Sequence, residues 1–398
     1  MKNKHSAAKV TCLEPEYVAK FRCDATKCDA FCCQAHWGID IDRGTYQKYQ
    51  KITPKRIRQN ILSRLKYNPS TNGYRTLSAD GKYCGFLTQE HLCSLQKELG
   101  EDYLSDTCIT YPRRLNIIDG IVERGLLMSC PVAAKLVLSD TEAVHITSVD
   151  VTGKRLAVID TLSSEDDVRI NYFADIQSVG IRILQDRSYT VDERLALLGL
   201  FIVETEKAFN TQDGEYLQNF TAAYQAQAYN DSWPEIKKSL IFDKTKYRQN
   251  IESLIESVYK DKPDFTDKHK TLLQAAQNTD YDKTHDEVAR LAKNCGRLWE
   301  NYLVNEYFLM LYPFRIKESM ALSFQLFLAA FKLTEFFAAR YVMTQNGKDT
   351  AENLIVKAVV TMSELLDHNN DYVGALALSA VKLDMELKDF LNGYIDVG

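Results

Sequence analysis

The chain has 398 residues, a formal net charge of −5 at pH 7, 45% hydrophobic residues and ten cysteines. A length of two to three ordinary domains excludes a small disulfide-stapled scaffold and predicts more than one domain. The balance of 49 basic against 54 acidic residues argues against a cationic nucleic-acid-binding protein. We therefore expect a globular protein of at least two domains with no nucleic-acid partner. Its oligomeric state is left open.

The first residues, MKNKHSAAKV, are polar, and Thr11, Cys12 and Glu14 follow where a secretory signal needs an apolar segment. The longest apolar run, residues 321–331, is flanked by charges and is shorter than the roughly 20 residues that span a bilayer. These features predict a cytoplasmic protein without membrane insertion. Because cytoplasmic thiols are kept reduced, clustered cysteines are then more typical of metal binding or catalysis than of disulfides.

Nine of the ten cysteines lie before residue 131. This uneven distribution predicts a cysteine-rich metal or iron–sulfur module over residues 1–138 and a predominantly helical domain over residues 139–398. The polar stretch 266–284 is a candidate connection that subdivides the second domain. The predicted fold class is mainly α, with short β-hairpins in the first module and a helical-bundle-like body after it.

Within the first module, two segments each contain two extended runs around a polar or glycine-containing turn. They are GFLTQEHLCSL at 85–95 and RRLNIIDGIVERGL at 113–126. We predict short hairpins that hold cysteines on rigid edges and do not build a large sheet.

Apolar residues at helical spacing begin after Ser164 and recur across 251–258. Thr190 with Glu193, and Thr284 with Glu287, match the capping-box pattern at a helix N-terminus. The second of these helices is expected to end before Pro313. Further helices are predicted at 318–342, 351–367 and 372–391, and the short gaps between them favour antiparallel neighbours.

Eight cysteines are candidate metal ligands, in one tight block and one looser set. They are Cys23, Cys28, Cys32, Cys33, Cys84, Cys93, Cys108 and Cys130. Thiolates bind soft metals and iron–sulfur clusters, and close spacing lowers the entropy cost of bringing sulfurs together. Zinc in two structural sites is the alternative. Cys12 and Cys295 stand alone and are expected to be small buried hydrophobic residues.

The cysteine segments resemble the flagellin lysine N-methylase family, part of a wider group with a zinc- or iron-chelating CxxCxxCC-type domain. The resemblance is carried by PEYVAKFRCDATKCDAFCC, His36-Trp37, CGFL, LCSLQKELGEDYLSDTC, TYPRR and LLMSCPVAAKLVL, all within residues 15–138, and more loosely by ENYLVNEYF, LYPF and LLDHNN. It implies methyl transfer from S-adenosylmethionine to flagellin lysines, with an iron–sulfur cluster of the 4Fe-4S type.

The motif of radical S-adenosylmethionine enzymes, CxxxCxxC, is incomplete. Cys28 and Cys32 match its first half, but residue 35 is alanine and the next thiol is Cys33. A cluster would then take ligands from separated positions, with Cys84, Cys93 and Cys108 beside one thiol of the adjacent pair. No GxGxxG loop follows a strand, so the common Rossmann-type methyltransferase scaffold is not supported.

Three residues are candidates for binding the methyl donor. Arg113 and Arg114 follow Cys108 closely and suit a carboxylate or an acidic partner surface, the alternative being a solvated edge strand. Trp37 suits a cation through its ring face, the alternative being that it and His36 shield a metal. His368 is expected to cap a helix end. No catalytic residue is identified.

Buried polar groups are also expected in the helical domain, because Glu300, Asn301 and Tyr302 lie among apolar helix positions and would need hydrogen-bond partners. Two other classes of function stay open beside the methyltransferase. One is a zinc-binding structural or interaction protein without enzymatic activity, and the other is an electron-transfer protein.

Overall fold

The computed structural model describes residues 9–28, 31–33, 39–76, 83–90, 92–152, 158–211, 214–259, 267–276, 279–345, 347, 349–367, 374, 376 and 386–398. The chain divides into two compact units. The first comprises Met1–Ala133 and Ile146–Thr161, and the second comprises Ala134–His145 and Leu162–Gly398. The predicted mainly α class is confirmed. The predicted domain boundary at residue 138 stays a prediction, and the return of 146–161 to the first unit was not foreseen.

The first unit contains two sheets. The strands are β1 Lys9–Pro15, β2 Ile39–Ile41, β3 Leu65–Asn68, β4 Gly73–Thr76, β5 Arg113–Ile118, β6 Ile121–Leu126, β7 Ile146–Thr152 and β8 Val158–Leu162. The larger sheet has the order β7-β1-β6-β5-β8, with β1 parallel to β6 and antiparallel to β7. The smaller sheet has the order β2-β4-β3.

The hairpin predicted at 113–126 is confirmed, since β5 and β6 pair antiparallel around Asp119-Gly120. Both turn residues have positive φ, 44° and 82°, as a two-residue type I′ hairpin turn requires. The expectation that no large sheet forms is wrong, because β1, β7 and β8 extend this hairpin to five strands. These strands are distant from the hairpin in the chain, so the local sequence pattern does not predict that they pair with it.

The hairpin predicted at 85–95 is reduced to one antiparallel bridge between Leu87 and Cys93, after which a helix begins. The helices of this unit are short. They are α1 Tyr17–Lys20, α2 Arg43–Tyr49, α3 Lys55–Leu62, α4 Ser94–Leu99, α5 Asp106–Thr110 and α6 Pro131–Leu138, the last crossing into the second unit. Single 3₁₀ turns occupy Ala25–Lys27, Phe31–Cys33 and Glu101–Tyr103.

The second unit is helical throughout the part that the structure describes. A 3₁₀ turn at Val168–Tyr172 precedes α7 Phe173–Gln185, α8 Val191–Thr211, α9 Gly214–Gln225, α10 Tyr229–Ser239, α11 Lys244–Tyr259, α12 Asp267–Ala276, α13 Tyr281–Asn294, α14 Gly296–Leu309, α15 Met320–Thr344, α16 Ala351–Leu366 and a last helix Leu387–Asn392. The core lies around α15, which packs against α8, α11, α12, α13 and α16.

The apolar run predicted as a core helix lies in α15. By length and composition alone α15 could cross a membrane, but 83% of its most apolar window is buried inside the structure. The helices predicted at 318–342 and 351–367 correspond to α15 and α16. The helix predicted over 372–391 falls mainly outside the described residues, and Gly374, Leu376 and Leu387–Asn392 are described there as helix. The polar stretch 266–284, expected to be a connection, contains α12 and the start of α13.

One of the two predicted capping boxes is confirmed. The backbone N–H of Thr190 donates to Glu193 Oε2 at 2.8 Å, and the backbone N–H of Glu193 donates to Thr190 Oγ1 at 3.3 Å. The other is wrong, because α13 begins at Tyr281 and its N-cap is Asp280. The predicted single helix before Pro313 is two, α13 and α14, which meet at Cys295. The helix expected after Ser164 begins later, with the 3₁₀ turn capped by Asp167.

Candidate thiol-rich metal centre

Two segments that carry cysteines lie against each other in the first unit. The backbone N–H of Cys84 donates to the carbonyl oxygen of Cys33 at 2.8 Å. The sulfurs of adjacent Cys32 and Cys33 are 4.0 Å apart. The 3₁₀ turn at Phe31–Cys33 is therefore fixed beside the strand-like segment that starts at Cys84.

The Leu87–Cys93 bridge positions one further thiol, that of Cys93. The backbone N–H of Phe86 lies 3.5 Å from the sulfur of Cys84 and donates to it. The backbone N–H of Ser94 and its hydroxyl both donate to the carbonyl of Phe86, at 2.9 Å each. This places Cys93 at the N-cap of α4, opposite Leu87.

Cys108 lies in α5, and two residues that the sequence analysis did not single out hold that helix. Ser105 caps it by accepting from the backbone N–H of Cys108 at 3.4 Å. Asp42 Oδ2 accepts from the backbone N–H of Asp106 at 3.3 Å, while Asp42 Oδ1 caps α2 through the N–H of Thr45 at 2.8 Å. Asp42 therefore joins α2 to α5. The only sequence signal for it was an Asp directly before a helix.

One hydrophobic cluster of the first unit contains four of the candidate thiols. Cys84 is buried in it, and Cys33, Cys93 and Cys108 pack against it. Tyr49 is fully buried in the same cluster and donates its hydroxyl to the carbonyl of Tyr103 at 2.8 Å. Burial and the nearby sulfurs of Cys108, Cys93 and Cys84 raise the pKa of the Tyr49 phenol, which therefore stays neutral.

Hydrogen bonding shifts the pKa values of Cys33 and Cys84 in opposite directions. The pKa of Cys33 is raised, because its thiol is hydrogen-bonded with Cys32 and Cys84 and is also buried. The pKa of Cys84 is lowered, because its sulfur accepts hydrogen bonds from Cys33 and from backbone N–H groups, and these outweigh its burial. Cys84 is therefore the thiol of this pair that most favours the thiolate form.

Burial is the main cause of the raised pKa values of the other thiols. It raises the pKa of Cys108 and Cys130 to about 12 and raises that of Cys93 as well. Cys23, although solvent-exposed as a residue, has a pKa raised to about 11 by desolvation of its sulfur, with Cys32 and Cys28 adding to the shift. These thiols are protonated at neutral pH until a bound cation lowers their pKa.

Cys32 is the common neighbour of the set. Its charge acts on the pKa of five other cysteines, namely Cys23, Cys33, Cys93, Cys108 and Cys130. Cys28 acts on Cys23 and Cys130 in the same way. The eight candidate ligands therefore lie in one region of the first unit.

This donor set fits a thiolate-bound centre by its chemistry, because soft sulfur donors are gathered in a largely apolar environment. The distances between these side chains are longer than those between the ligands of a bound metal ion. Within the ranges that the structure describes, no three His, Cys, Asp or Glu side chains stand close enough to hold one metal ion. Which thiols act as ligands, and how many centres they form, stays a prediction.

The arginines proposed for the methyl donor bind groups of the chain itself. Arg113 donates to the carbonyls of Ile109 and Phe21 at 3.3 and 3.4 Å, and its guanidinium lies 5.0 Å from the centroid of the Phe21 ring. Arg114 is buried and forms an ion pair with Asp160 of β8. The alternative of a solvated edge strand is wrong, because β5 lies between β6 and β8.

Several other sequence expectations can be placed. Trp37, His36 and His368 lie outside the described residues. Cys12 and Cys295 are both buried, as expected of hydrophobic residues. Cys12 faces Leu115 and Val122 in the larger sheet, and burial raises its pKa to about 11.

Fold and site together define a protein in which one unit carries a group of eight thiols and the other is a helical body. Residues 177–382 match the family model described as the FliB lysine N-methylase C-terminal domain. The chain belongs to this family.

Two relatives share part of the sequence. The chain is 32% identical over 141 residues to a lysine-N-methylase of Salmonella typhimurium, covering 35% of each protein. It is 32% identical over 140 residues to the flagellar biosynthetic protein FliU of Salmonella muenchen, covering 34% of this chain and 82% of FliU. The match thus spans about a third of the length of the lysine-N-methylase. No solved structure matches.

Proposed function

We propose that this protein is a lysine N-methyltransferase that transfers methyl groups from S-adenosylmethionine to lysine side chains of flagellin. Family membership carries the proposal, since the matched model bears the name of a lysine N-methylase. The names of the relatives, lysine-N-methylase and flagellar biosynthetic protein FliU, support the type of reaction and the flagellar substrate. The proposed location is the cytoplasm, where flagellin is available before export.

The eight clustered cysteines of the first unit support the proposal of a 4Fe-4S cluster as the resident cofactor. Cys84, Cys93 and Cys108, with Cys32 or Cys33, are the proposed ligands. Cys33, Cys84, Cys93 and Cys108 lie in or against one buried cluster, and the sulfur of Cys32 is 4.0 Å from that of Cys33. Cys84 also accepts a backbone hydrogen bond of the kind that stabilises a thiolate. Such a cluster would supply redox-active iron.

The proposed contacts for the methyl donor also belong to the first unit. They are Arg113, Arg114 and Trp37. Arg113 is the better placed of the two arginines, because it is half-buried and held by carbonyl oxygens, whereas Arg114 is committed to Asp160. A guanidinium held in this way suits the carboxylate of S-adenosylmethionine.

The test is a methylation assay with protein prepared without oxygen. Incubation with S-adenosylmethionine and flagellin should add mass increments of one methyl group to lysine-containing peptides. Flagellin incubated without S-adenosylmethionine is the control. If a preparation with its full metal content leaves flagellin unmodified, the enzyme assignment is rejected.

A zinc-binding structural or interaction protein is the second candidate. It is favoured by the burial of Cys84 in the hydrophobic cluster around Tyr49, where a structural metal would contribute directly to folding. Metal analysis separates the two candidates. Coloured protein with iron and labile sulfide supports the cluster, whereas colourless protein that holds zinc supports the structural alternative.

A further inference from the structure

A small cavity lies in the second unit where α14, α15 and the end of α16 meet. Its volume is about 40 Å³, and it is partly open to solvent. Polar side chains in its lining are Tyr302, Glu306, Tyr312, Arg315, Ser363 and Asp367. The cavity is therefore small, largely polar at its lining and accessible from outside.

The lining carries more negative than positive charge. Glu306 and Asp367 contribute two carboxylates, and Arg315 contributes one guanidinium. Glu306 is 8% exposed and accepts a hydrogen bond from Asn305 Nδ2 at 3.3 Å. A net charge of one negative unit on this lining complements a ligand group that carries one positive charge.

The carboxylates of Glu306 and Asp367 both lie near the Tyr302 side chain, because the charges of both affect its pKa. Its hydroxyl lies 3.5 Å from Thr334 Oγ1. Burial raises the pKa of the Tyr302 phenol well above its usual range, and the charges of Glu306 and Asp367 raise it further. The phenol is therefore a neutral group beside the two carboxylates, and its ring adds an aromatic surface that attracts cations.

The backbone next to the cavity adopts an unusual conformation. Leu311 has a φ of 60°, in the left-handed region that branched and bulky residues avoid, although it is only 3% exposed. The turn that it makes places both of its neighbours, Met310 and Tyr312, in the cavity lining. Backbone held in such a conformation is concentrated at ligand sites.

We propose that this cavity binds the ammonium end of a lysine side chain and is the pocket for the substrate lysine; this rests on the methyltransferase function proposed above. An ammonium offers three hydrogen-bond donors, and the carboxylates, phenols and Ser363 hydroxyl are acceptors for them. The confined volume admits an ammonium and an adjoining methylene, but a nucleoside needs a pocket of several hundred cubic ångströms. The methyl donor itself is therefore too large for this cavity.

Binding can be tested on the full chain without the methyl donor. The probe is Nα-acetyl-lysine methylamide, and the matched probe is Nα-acetyl-norleucine methylamide, which lacks the ammonium. Ligand-observed NMR should show binding of the lysine probe and at least tenfold weaker binding of the norleucine probe. Glu306→Gln and Asp367→Asn should each weaken binding of the lysine probe by roughly tenfold or more, because each removes a charged acceptor.

Glu352→Gln is the control variant, since Glu352 lies exposed on α16 and does not line the cavity. It should bind the lysine probe like the unmodified chain. Asp367→Asn lies at a helix end and keeps the test decisive if Glu306→Gln fails to fold. Equal binding of the two probes, or unchanged binding in both cavity variants, overturns the proposal. Displacement of the lysine probe by S-adenosylmethionine also overturns it.

Steady-state assays with flagellin distinguish failure of the pocket from failure of the function. Both cavity variants should raise KM for flagellin at least tenfold while KM for S-adenosylmethionine stays within twofold. Methylation with unchanged KM for flagellin in both variants overturns the pocket and leaves the enzyme assignment standing. Selective binding of the lysine probe, lost in the cavity variants, supports the pocket even if no methylation occurs, in which case the methyltransferase function fails alone.

Discussion

The helical core of the second unit and the hydrophobic cluster around Tyr49 in the first unit bury polar atoms in different ways. In the helical unit, buried charges meet opposite charges from the same unit: Glu300 is bonded by three arginines, and Lys332 lies between Asp192 and Glu335. In the first unit, the hydrophobic cluster around Tyr49 gathers sulfurs whose neighbours include other sulfurs. Buried charges in the helical core are neutralised by opposite charges of the chain itself, whereas clustered thiols are the donors that suit a soft metal.

The largest difference should appear between two buried cysteines, one in each unit. Cys84 is 5% exposed and Cys295 is 7% exposed, so burial is matched. Cys84→Ala should abolish stoichiometric metal binding and lower the melting temperature, because structural thiolate sites contribute about 10 kcal/mol or more. Cys295→Ala should keep the full metal content. Metal analysis and visible absorbance measure both, and retention of metal by both variants would refute the metal centre at Cys84.

The same measurement on Cys93→Ala and Cys108→Ala tests the choice of ligands. Each should lose metal if the proposed set is right. An intact chromophore in both would move the ligands to the Cys23, Cys28 and Cys130 side of the group.

The second largest effect is expected in the helical unit, at Glu300. Its carboxylate is 2% exposed and lies 2.7 to 3.0 Å from guanidinium nitrogens of Arg297, Arg187 and Arg194. Glu300→Ala leaves buried positive charge without compensation and should cost roughly 3–5 kcal/mol of unfolding free energy. Urea denaturation measures the loss.

Glu235→Ala is the matched control, because Glu235 forms an ion pair with Lys238 on an exposed face. Loss of such a pair costs at most about 1 kcal/mol. Similar denaturation midpoints for the two variants would contradict the role given to Glu300.

Sequence reasoning succeeded where the determinants are local. The Asp119-Gly120 hairpin, the Thr190 capping box and the apolar run in α15 each depend on residues within a few positions of one another. The need of Glu300 for a partner was also evident from its apolar surroundings. The identity of that partner was not, because Arg187 is 113 residues away in the chain.

Long-range pairing accounts for what was missed. β1 pairs with β7, for example Cys12 with Val149, although more than a hundred residues separate the two strands in the chain. No short-range pattern specifies such a partner. The cavity lining likewise runs from Tyr302 to Leu376. Eight cysteines could be singled out by residue type alone, whereas Asp42, which ties α2 to α5, became visible only through its contacts.

The third effect depends on pH and concerns the buried carboxyl of Glu335, 1% exposed and 3.0 Å from Lys332 Nζ. Burial raises the pKa of Glu335 from 4.5 to about 7, against the opposing charge of Lys332. Between these values the folded chain retains a proton that the unfolded chain has lost. Stability should therefore fall as pH rises from about 4.5 to about 7.

Glu335→Gln should remove this dependence, because the amide resembles the protonated carboxyl. We expect the difference in unfolding free energy between variant and unmodified chain to grow by roughly 1–3 kcal/mol from pH 5 to pH 8. Denaturation at several pH values measures it. Parallel pH profiles for the two proteins would show that Glu335 is ionised across the range.

The smallest effects separate the capping box that formed from the one that did not. Thr190→Ala removes the acceptor for the backbone N–H of Glu193, and Asp280→Ala removes the acceptor for that of Lys283 at 3.1 Å. Each should cost about 1 kcal/mol. Glu287→Ala should cost about 0.5 kcal/mol or less, because Glu287 pairs with Arg290 in the same helix and caps nothing. If Glu287→Ala proves as costly as Asp280→Ala, α13 begins four residues later than its backbone hydrogen bonds indicate. If the expected order is found, the start of each helix is set by the side chain that reaches the free backbone N–H groups. A sequence that matches the capping-box pattern does not by itself decide where the helix begins.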